Sequence, residues 1–265
     1  MILKALINWL PIWLFIILIT ILLMSLSAII FWLVRKFFPH LIKHQSSDIL
    51  SILIGVISTN YGFLVGFVII ILWQSYNQAT LVVYNEANYL SLILYDCAAF
   101  PMEIKTEITE TVGKYIHILI NEEWDLMKWG RVSDDARLAL GKIFTIIQSY
   151  TPNTETEKAF YSEAISNLNS VLENRRLRIE KVESALPDTL RFILIFGVLI
   201  VAFFVSLLET KYQRVHLFVT LVVTAIMSFN VGLALTLDYP FSGYISVANE
   251  PYTRGILAQY IAYDF

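Results

Sequence analysis

The polar side chains of this chain are not set out for bond-making chemistry. Its four histidines, His40, His44, His117 and His216, have no cysteine or carboxylate neighbours at metal-ligand spacing. His40 and His44 share an i, i+4 spacing but no third ligand stands nearby, so neither a metal nor another cofactor is expected. Phosphate-cradling glycine loops, nucleophile elbows and kinase signatures are missing as well, which argues against an enzyme. Cys97 is the single cysteine. It cannot close an intrachain disulfide and reads as a small buried packing residue.

A different chemistry is spelled between residues 55 and 74. Gly55, Ser58, Thr59, Gly62 and Gly66 would let helices approach closely, and Gly62 with Gly66 forms a GxxxG spacing. Asn60, Phe63, Phe67 and Gln74 share one broad face of the same helix. One reading of them is ordinary helix packing. The sharper reading is a pore helix in which Phe63 and Phe67 form a hydrophobic constriction that gates by dewetting, with Asn60 coordinating or rehydrating ions beside it. The direction in which Asn60 points separates the two.

These residues need a membrane helix to carry them. Between Lys4 and Arg35 about 30 residues pass without a charge, and between Asp48 and Glu86 about 37. Near the other end, Phe192 to Leu208 gives about 17 and Val215 to Leu237 about 23, the latter carrying only His216. Lipid offers backbone N–H and C=O groups no partner, so such stretches must close their hydrogen bonds as helices. Composition agrees: 57% of the 265 residues are hydrophobic and 15% charged, well under the roughly 25% charged content of soluble domains. The first apolar run is too long for a signal peptide and reads as a retained span.

The expected fold class is therefore all-α, an integral membrane protein of four transmembrane helices with a helical soluble domain inserted between the second and third. Residues 1–75 would hold the first two spans, 76–188 the domain, 189–238 the last two spans and 239–265 a tail. Within the domain, Pro101 suits a first helical turn and Gly130 a C-terminal cap. Ser133 followed by Asp134 and Asp135 starts the next helix, and Thr151-Pro152 stops it. Thr154 with Glu157 is a capping box opening a helix that can run to about Ser184. Neither glycine nor proline interrupts the Gln74 to Gln78 stretch, so the second span is expected to continue out of the membrane as one long helix.

Net charge is −3 and no Lys/Arg cluster appears, so nucleic acid is not an expected partner. Over residues 76–188 acidic side chains outnumber basic ones by 17 to 11, a surplus that would draw cations if copies surrounded a common axis and that is otherwise a solvated surface. Orientation stays open on charge alone: Arg35, Lys36, Lys43, Lys211 and Arg214 in the two short loops face Lys4, Arg175, Arg176, Arg178, Lys181 and Arg191 on the opposite side. At the end of the last span Pro240 cannot continue the helix and Gly243 permits a tight turn. Asp238 there is either a partner for Arg176 or Arg178, or a solvated aspartate.

The order of spans, together with Tyr61-Gly62-Phe63-Leu64-Val65-Gly66-Phe67, Glu86-Ala87, Glu123-Trp124, Arg175-Arg176-Leu177-Arg178, Leu186-Pro187 and Asp238-Tyr239-Pro240-Phe241-Ser242-Gly243, resembles the bestrophin-like family. The resemblance covers nearly the whole chain, and Asp-x-Pro-Phe-x-Gly is its most specific element. It marks Glu86, Glu123, Trp124, Arg175, Arg176, Arg178, Pro187, Asp238, Pro240, Phe241 and Gly243 as motif residues. Bestrophins are homo-oligomeric ion channels, with four spans per subunit, a helical cytosolic domain and the second span lining the pore. The resemblance thus implies a homo-oligomer in a lipid bilayer that passes inorganic ions, a multi-pass protein of a bacterial inner membrane with its domain in the cytoplasm. An Asn-Ser-Pro-type pore stretch and a calcium clasp are absent from the sequence, so calcium gating does not carry over. A membrane-anchored scaffold binding a protein partner through its helical domain explains the small-residue packing equally well. A transporter is weaker, since no intramembrane charge marks a substrate site.

Overall fold

The computed structural model describes residues 2–39 and 47–260. Among the described residues there is no β-strand, and nine α-helices alternate with short turns. They are α1 (Ile2–Trp9), α2 (Ile12–Phe37), α3 (Ser47–Asp96), α4 (Met102–Ile118), α5 (Trp124–Lys128), α6 (Asp134–Ser149), α7 (Glu155–Glu180), α8 (Asp188–Ser206) and α9 (Gln213–Leu237). His40 and His44, with Lys43, lie outside the described residues.

Local chemistry fixes most of the helix ends. Pro101 and Pro187 sit just before α4 and α8 at φ −51° and −58°, already in the value a first turn needs. The Ser133 hydroxyl accepts the Ala136 N–H at 3.2 Å, and the Thr154 hydroxyl accepts the Glu157 N–H at 3.1 Å. Helix α7 stops at Glu180, short of the Ser184 expected from the sequence, because Lys181 closes the last turn with bonds back to Leu177 and Arg178. The expected long helix is present: α3 runs for 50 residues without a break, about 75 Å at 1.5 Å per residue.

Four helices are long and apolar enough to cross a membrane: Ile12–Phe37, Asp48–Ala99, Asp188–Ser206 and Gln213–Leu237. Aromatic side chains mark the ends of the first, where Trp13 and Trp32 are both exposed. Nineteen residues of helix separate them, about 28 Å, close to the roughly 30 Å of a hydrocarbon core. Trp is enriched at both rims of a bilayer.

Residues fall into two compact units. Residues 2–39, 47–74, 184–239 and 243–245 make the first, whose core joins Phe15, Ile16 and Leu23 of α2 with Val65 and Leu72 of α3, Leu194 and Val198 of α8 and Leu235 of α9. A polar seam runs through it, with Ser27 and Thr224 hydroxyls 2.8 Å apart. The second unit holds residues 75–183, 240–242 and 246–260. Val83, Leu90 and Ile93 of α3 pack there on Ile108 and Tyr115 of α4, Ile143 of α6 and Leu168 of α7.

Candidate functional site

From Tyr61 onward helix α3 has two opposed faces, and the buried one carries on into Cys97 just past its end. Tyr61, Val65, Val68, Leu72, Ala79, Val83, Glu86, Leu90, Ile93 and Cys97 recur on one side and are buried. At 100° per residue Asn60, Phe63, Phe67 and Gln74 fall within about 60° of one another on the other side. All four are exposed, Phe63 at 76% and Phe67 at 65%. The exposed strip continues past Gln78, Leu81, Asn88, Leu92 and Tyr95. No charged residue lies on it between Ile49 and Tyr95, because the single acid in that range, Glu86, points inward.

Tyr61 sets this rotation. Its hydroxyl donates to the Leu194 carbonyl at 2.6 Å, and its ring lies where a Cβ on Gly197 would come within 2.3 Å. Only glycine at 197 admits that contact, so the ring turns Phe63 and Phe67 away from α8. Asn60 donates its side-chain N–H to the Val56 carbonyl at 2.9 Å, on the exposed side of the helix.

Gly62 and Gly66 lie on the exposed side of α3. A Cβ at either would meet nothing within 4 Å. Packing falls instead on the Val65, Val68 and Leu72 side. The two glycines line a small cleft of about 140 Å³ with Tyr61, Val65, Ile69, Met227 and Asn230.

A second cluster lies in the core of the second unit. Arg178 donates from Nε to Glu86 Oε2 at 2.8 Å and from Nη2 to Glu123 Oε1 at 2.8 Å. Arg175 donates to Glu123 Oε2 at 2.7 Å, and Tyr115 donates to Glu86 Oε1 at 2.5 Å. Glu86, Glu123 and Arg178 are wholly buried, and Arg175 nearly so. Two carboxylates and two guanidiniums cancel, so the core holds no net charge. The π-turn Leu119–Glu123 inserts an extra residue into the helix between α4 and α5, and Glu123 at its end reaches Ser133 N at 3.2 Å as well as both arginines. Trp124 caps the cluster: Arg178 stands over its ring at 5.7 Å, and Phe241 and Tyr252 meet it edge-on.

Burial opposes the charge on Arg178, but Glu86 and its hydrogen bonds outweigh that and hold the guanidinium protonated well above its usual value. Burial, reinforced by Glu86, pushes the Tyr115 and Tyr252 phenols well up, so both stay neutral. The Arg178 guanidinium thus stays charged and the two phenols stay neutral. Arg176 is exposed and takes no part.

Asp238 pairs with neither Arg176 nor Arg178, and it is not solvated. Its carboxylate is completely buried and accepts from Arg191 Nε at 2.7 Å, Leu186 N at 2.7 Å and the Ser184 hydroxyl at 2.9 Å. Its own carbonyl takes the Ala185 N–H at 3.0 Å. Of the basic candidates read from the sequence, Arg178 is spent on the two glutamates, whereas Arg191 lies one turn inside α8, facing the end of α9. Asp238 therefore clamps the Ser184 to Pro187 turn that launches α8.

The rest of the Asp-x-Pro-Phe-x-Gly stretch is structural. Pro240 accepts the Val247 N–H at 2.8 Å, closing a loop, and Phe241 is buried against Trp124. Gly243 takes φ +77° and donates its N–H to Asn8 Oδ1 at 2.8 Å, while an added Cβ would fall 2.5 Å from Ile7 Cγ2. No side chain fits there.

A profile of the Bestrophin-like domain matches residues 21–252. The chain belongs to the bestrophin-like family. A solved structure of a bacterial bestrophin homolog from Klebsiella pneumoniae, a point mutant, superposes with a TM-score of 0.63 over 89% of this chain and 95% of that one. The two share 12% identity, so that likeness speaks for the fold alone. Among curated proteins none matches.

The motif residues of this bestrophin-like chain thus gather in three places: the core ion cluster (Glu86, Glu123, Trp124, Arg175, Arg178), the clamp at Pro187 and Asp238, and the turn at Pro240, Phe241 and Gly243. Sequence reasoning missed Tyr115, Arg191 and Asn230. A lone arginine three residues after an Asp at a helix start, and a lone amide in an apolar helix, were the signals available.

Proposed function

We propose that the protein is a multi-pass protein of a bacterial inner membrane that assembles as a homo-oligomer and conducts ions, with the membrane half of α3 lining the pore. The observation that carries this reading is the uninterrupted outward face of α3 in a chain of the bestrophin-like family. Asn60, Phe63, Phe67 and Gln74 stand exposed on that face, while the opposite face is packed from Tyr61 onward. Several copies turning these faces to one axis would form a neutral conduit. Phe63 and Phe67 would make its hydrophobic constriction and the amides of Asn60 and Gln74 would flank it.

The helical residues 76–188 are then a soluble domain inserted between the second and third spans, on the cytoplasmic side, and they form the vestibule. Lipid and inorganic ions are the partners, and no chemistry is catalysed.

The test is ion flux through purified protein in liposomes under sodium, potassium and chloride gradients, beside Phe63→Ala and Phe67→Ala. The expected result is flux that rises in the variants as the constriction widens. Flux identical in wild type and both variants removes the gate from this place; no flux from a well-folded oligomer, variants included, favours the scaffold reading.

A further inference from the structure

At the end of the spans opposite Asp238, one imidazole ties α2, α8 and α9 together. His216 stands in the first turn of α9 and is buried, its ring meeting Phe31 edge-on at 5.3 Å. Its Nε2 lies 3.0 Å from the Val205 carbonyl of α8, and its Nδ1 lies 2.7 Å from Nη2 of Arg35 in the last turn of α2. A carbonyl only accepts and a guanidinium only donates. Nε2 therefore carries the proton and Nδ1 offers its lone pair, so the joint as built admits only the neutral ring. A second proton would set N–H against N–H across 2.7 Å, between two cations.

Arg35 is held through one nitrogen. Nη2 also donates to the Leu208 carbonyl at 2.8 Å, which spends both its hydrogens at the joint, while Nε is buried without a partner. The guanidinium lies over the Phe31 ring at 5.2 Å. Arg35 is half-buried and stands one turn past the exposed Trp32, so the joint sits at the rim, within reach of water. The charges at this end come from every element packed there. Lys36 of α2 is turned onto the Trp32 ring, 4.7 Å from its centroid. Helix α8 brings no charge after Arg191, the α8 to α9 turn adds Glu209 and Lys211, α9 adds Arg214, and α3 adds Asp48, all four exposed. Glu209, whose charge reaches Arg35, is the acid that a released guanidinium would find.

We propose that Arg35 and His216 form an acid-released latch: a proton from solvent lands on Nδ1 of His216, expels Arg35 and frees the α8 to α9 turn from the end of α2. The latch needs neither conduction nor an assembly of copies. With residues 76–188 on the cytoplasmic side, it answers to acid outside the cell. The closed joint binds one proton fewer than the open one, so closure is favoured above the pH near 6.5 where a free imidazole titrates and is lost below it. Between pH 7.5 and 5.0 the opening constant rises about 30-fold on that basis.

The experiment follows backbone amide exchange of the full-length protein in lipid nanodiscs at pH 7.5 and 5.0, corrected for the intrinsic exchange rate. Protection of the Leu207 to His216 amides should fall about 30-fold in the wild type and by under about threefold in His216→Gln, whose amide offers a donor and an acceptor but takes no proton. Equal falls in both proteins, or a wild-type fall under about threefold, overturn the latch. A second measurement does not depend on that variant folding: the 15N spectrum of the His216 ring in a chain whose other histidines, His40, His44 and His117, are replaced by Gln. A neutral ring protonated on Nε2 at pH 7.5 is expected, and a ring protonated on Nδ1 at that pH, alone or together with Nε2, overturns the latch.

Discussion

Replacing Arg178 with Met keeps the length and apolar stem of the side chain and removes its charge from a completely buried place. The guanidinium makes two bonds to Glu86, at 2.8 and 3.2 Å, and one to Glu123 at 2.8 Å. After Arg178→Met, Glu123 keeps Arg175 and the Ser133 N–H, but Glu86 retains only the Tyr115 hydroxyl. A buried carboxylate stripped of its cation costs about 3–5 kcal/mol. At roughly 2–4 °C per kcal/mol for a chain of this size, Tm should fall by about 6–20 °C. The assay is thermal unfolding of the full-length protein in detergent, with Arg137→Ala as comparison. Arg137 pairs with Asp134 on the exposed surface of α6, an interaction of about 0–1 kcal/mol. Adding Glu86→Gln to Arg178→Met should recover part of the loss, since the stranded charge is gone. A Tm drop no larger than that of Arg137→Ala, or a double variant worse by the full sum of its parts, refutes the idea that Glu86 depends on Arg178.

Gly243→Ala should destabilise the protein by about 2 kcal/mol, because the turn needs φ +77° and Ile7 occupies the space of a Cβ; melting curves read it, and a change within a few tenths of a kcal/mol would contradict the packing. Stability should also decline on the alkaline side: the Tyr252 phenol is held protonated in the folded protein, so an unfolded chain that ionises near pH 10 gains on it as pH rises past that point. Tyr252→Phe should flatten this alkaline limb in urea titrations at pH 8 to 11, and an unchanged slope would remove Tyr252 as its source.

Legibility in the sequence followed the range of the interaction. The extent of α9 to Leu237, the caps at Ser133 and Thr154, and the unbroken course of α3 were all readable, since each depends on a few neighbouring residues or on an apolar run. Rotation of α3 was half readable. The common face of Asn60, Phe63 and Phe67 follows from helix periodicity, but which way it points depends on Tyr61 finding Gly197, residues far apart in sequence. Pairing was not readable at all. Glu86 and Arg178 are separated by 92 residues, and nothing in their own surroundings tells a buried carboxylate from the solvated acids nearby. Asp238 shows the same limit: the nearest cations by motif were the wrong ones, and the right one was hidden by a local ion pair with Asp188. The π-turn that delivers Glu123 leaves no compositional trace, being one residue of extra register in an otherwise ordinary helix.

The clamp at Asp238 also imposes an order on biosynthesis. Arg191 leaves the ribosome 47 residues before its carboxylate, which at about 5–20 residues per second is roughly 2–9 s. During that interval Arg191 has Asp188, Ser184 and the Leu186 carbonyl within reach but not its buried carboxylate, and the Leu186 N–H has the Ser184 hydroxyl in place of Asp238. Helix α8 is therefore complete in sequence before it is complete in its bonding, and the turn that launches it acquires its last acceptor only when the far end of α9 has been made, with a single aspartate as the latch.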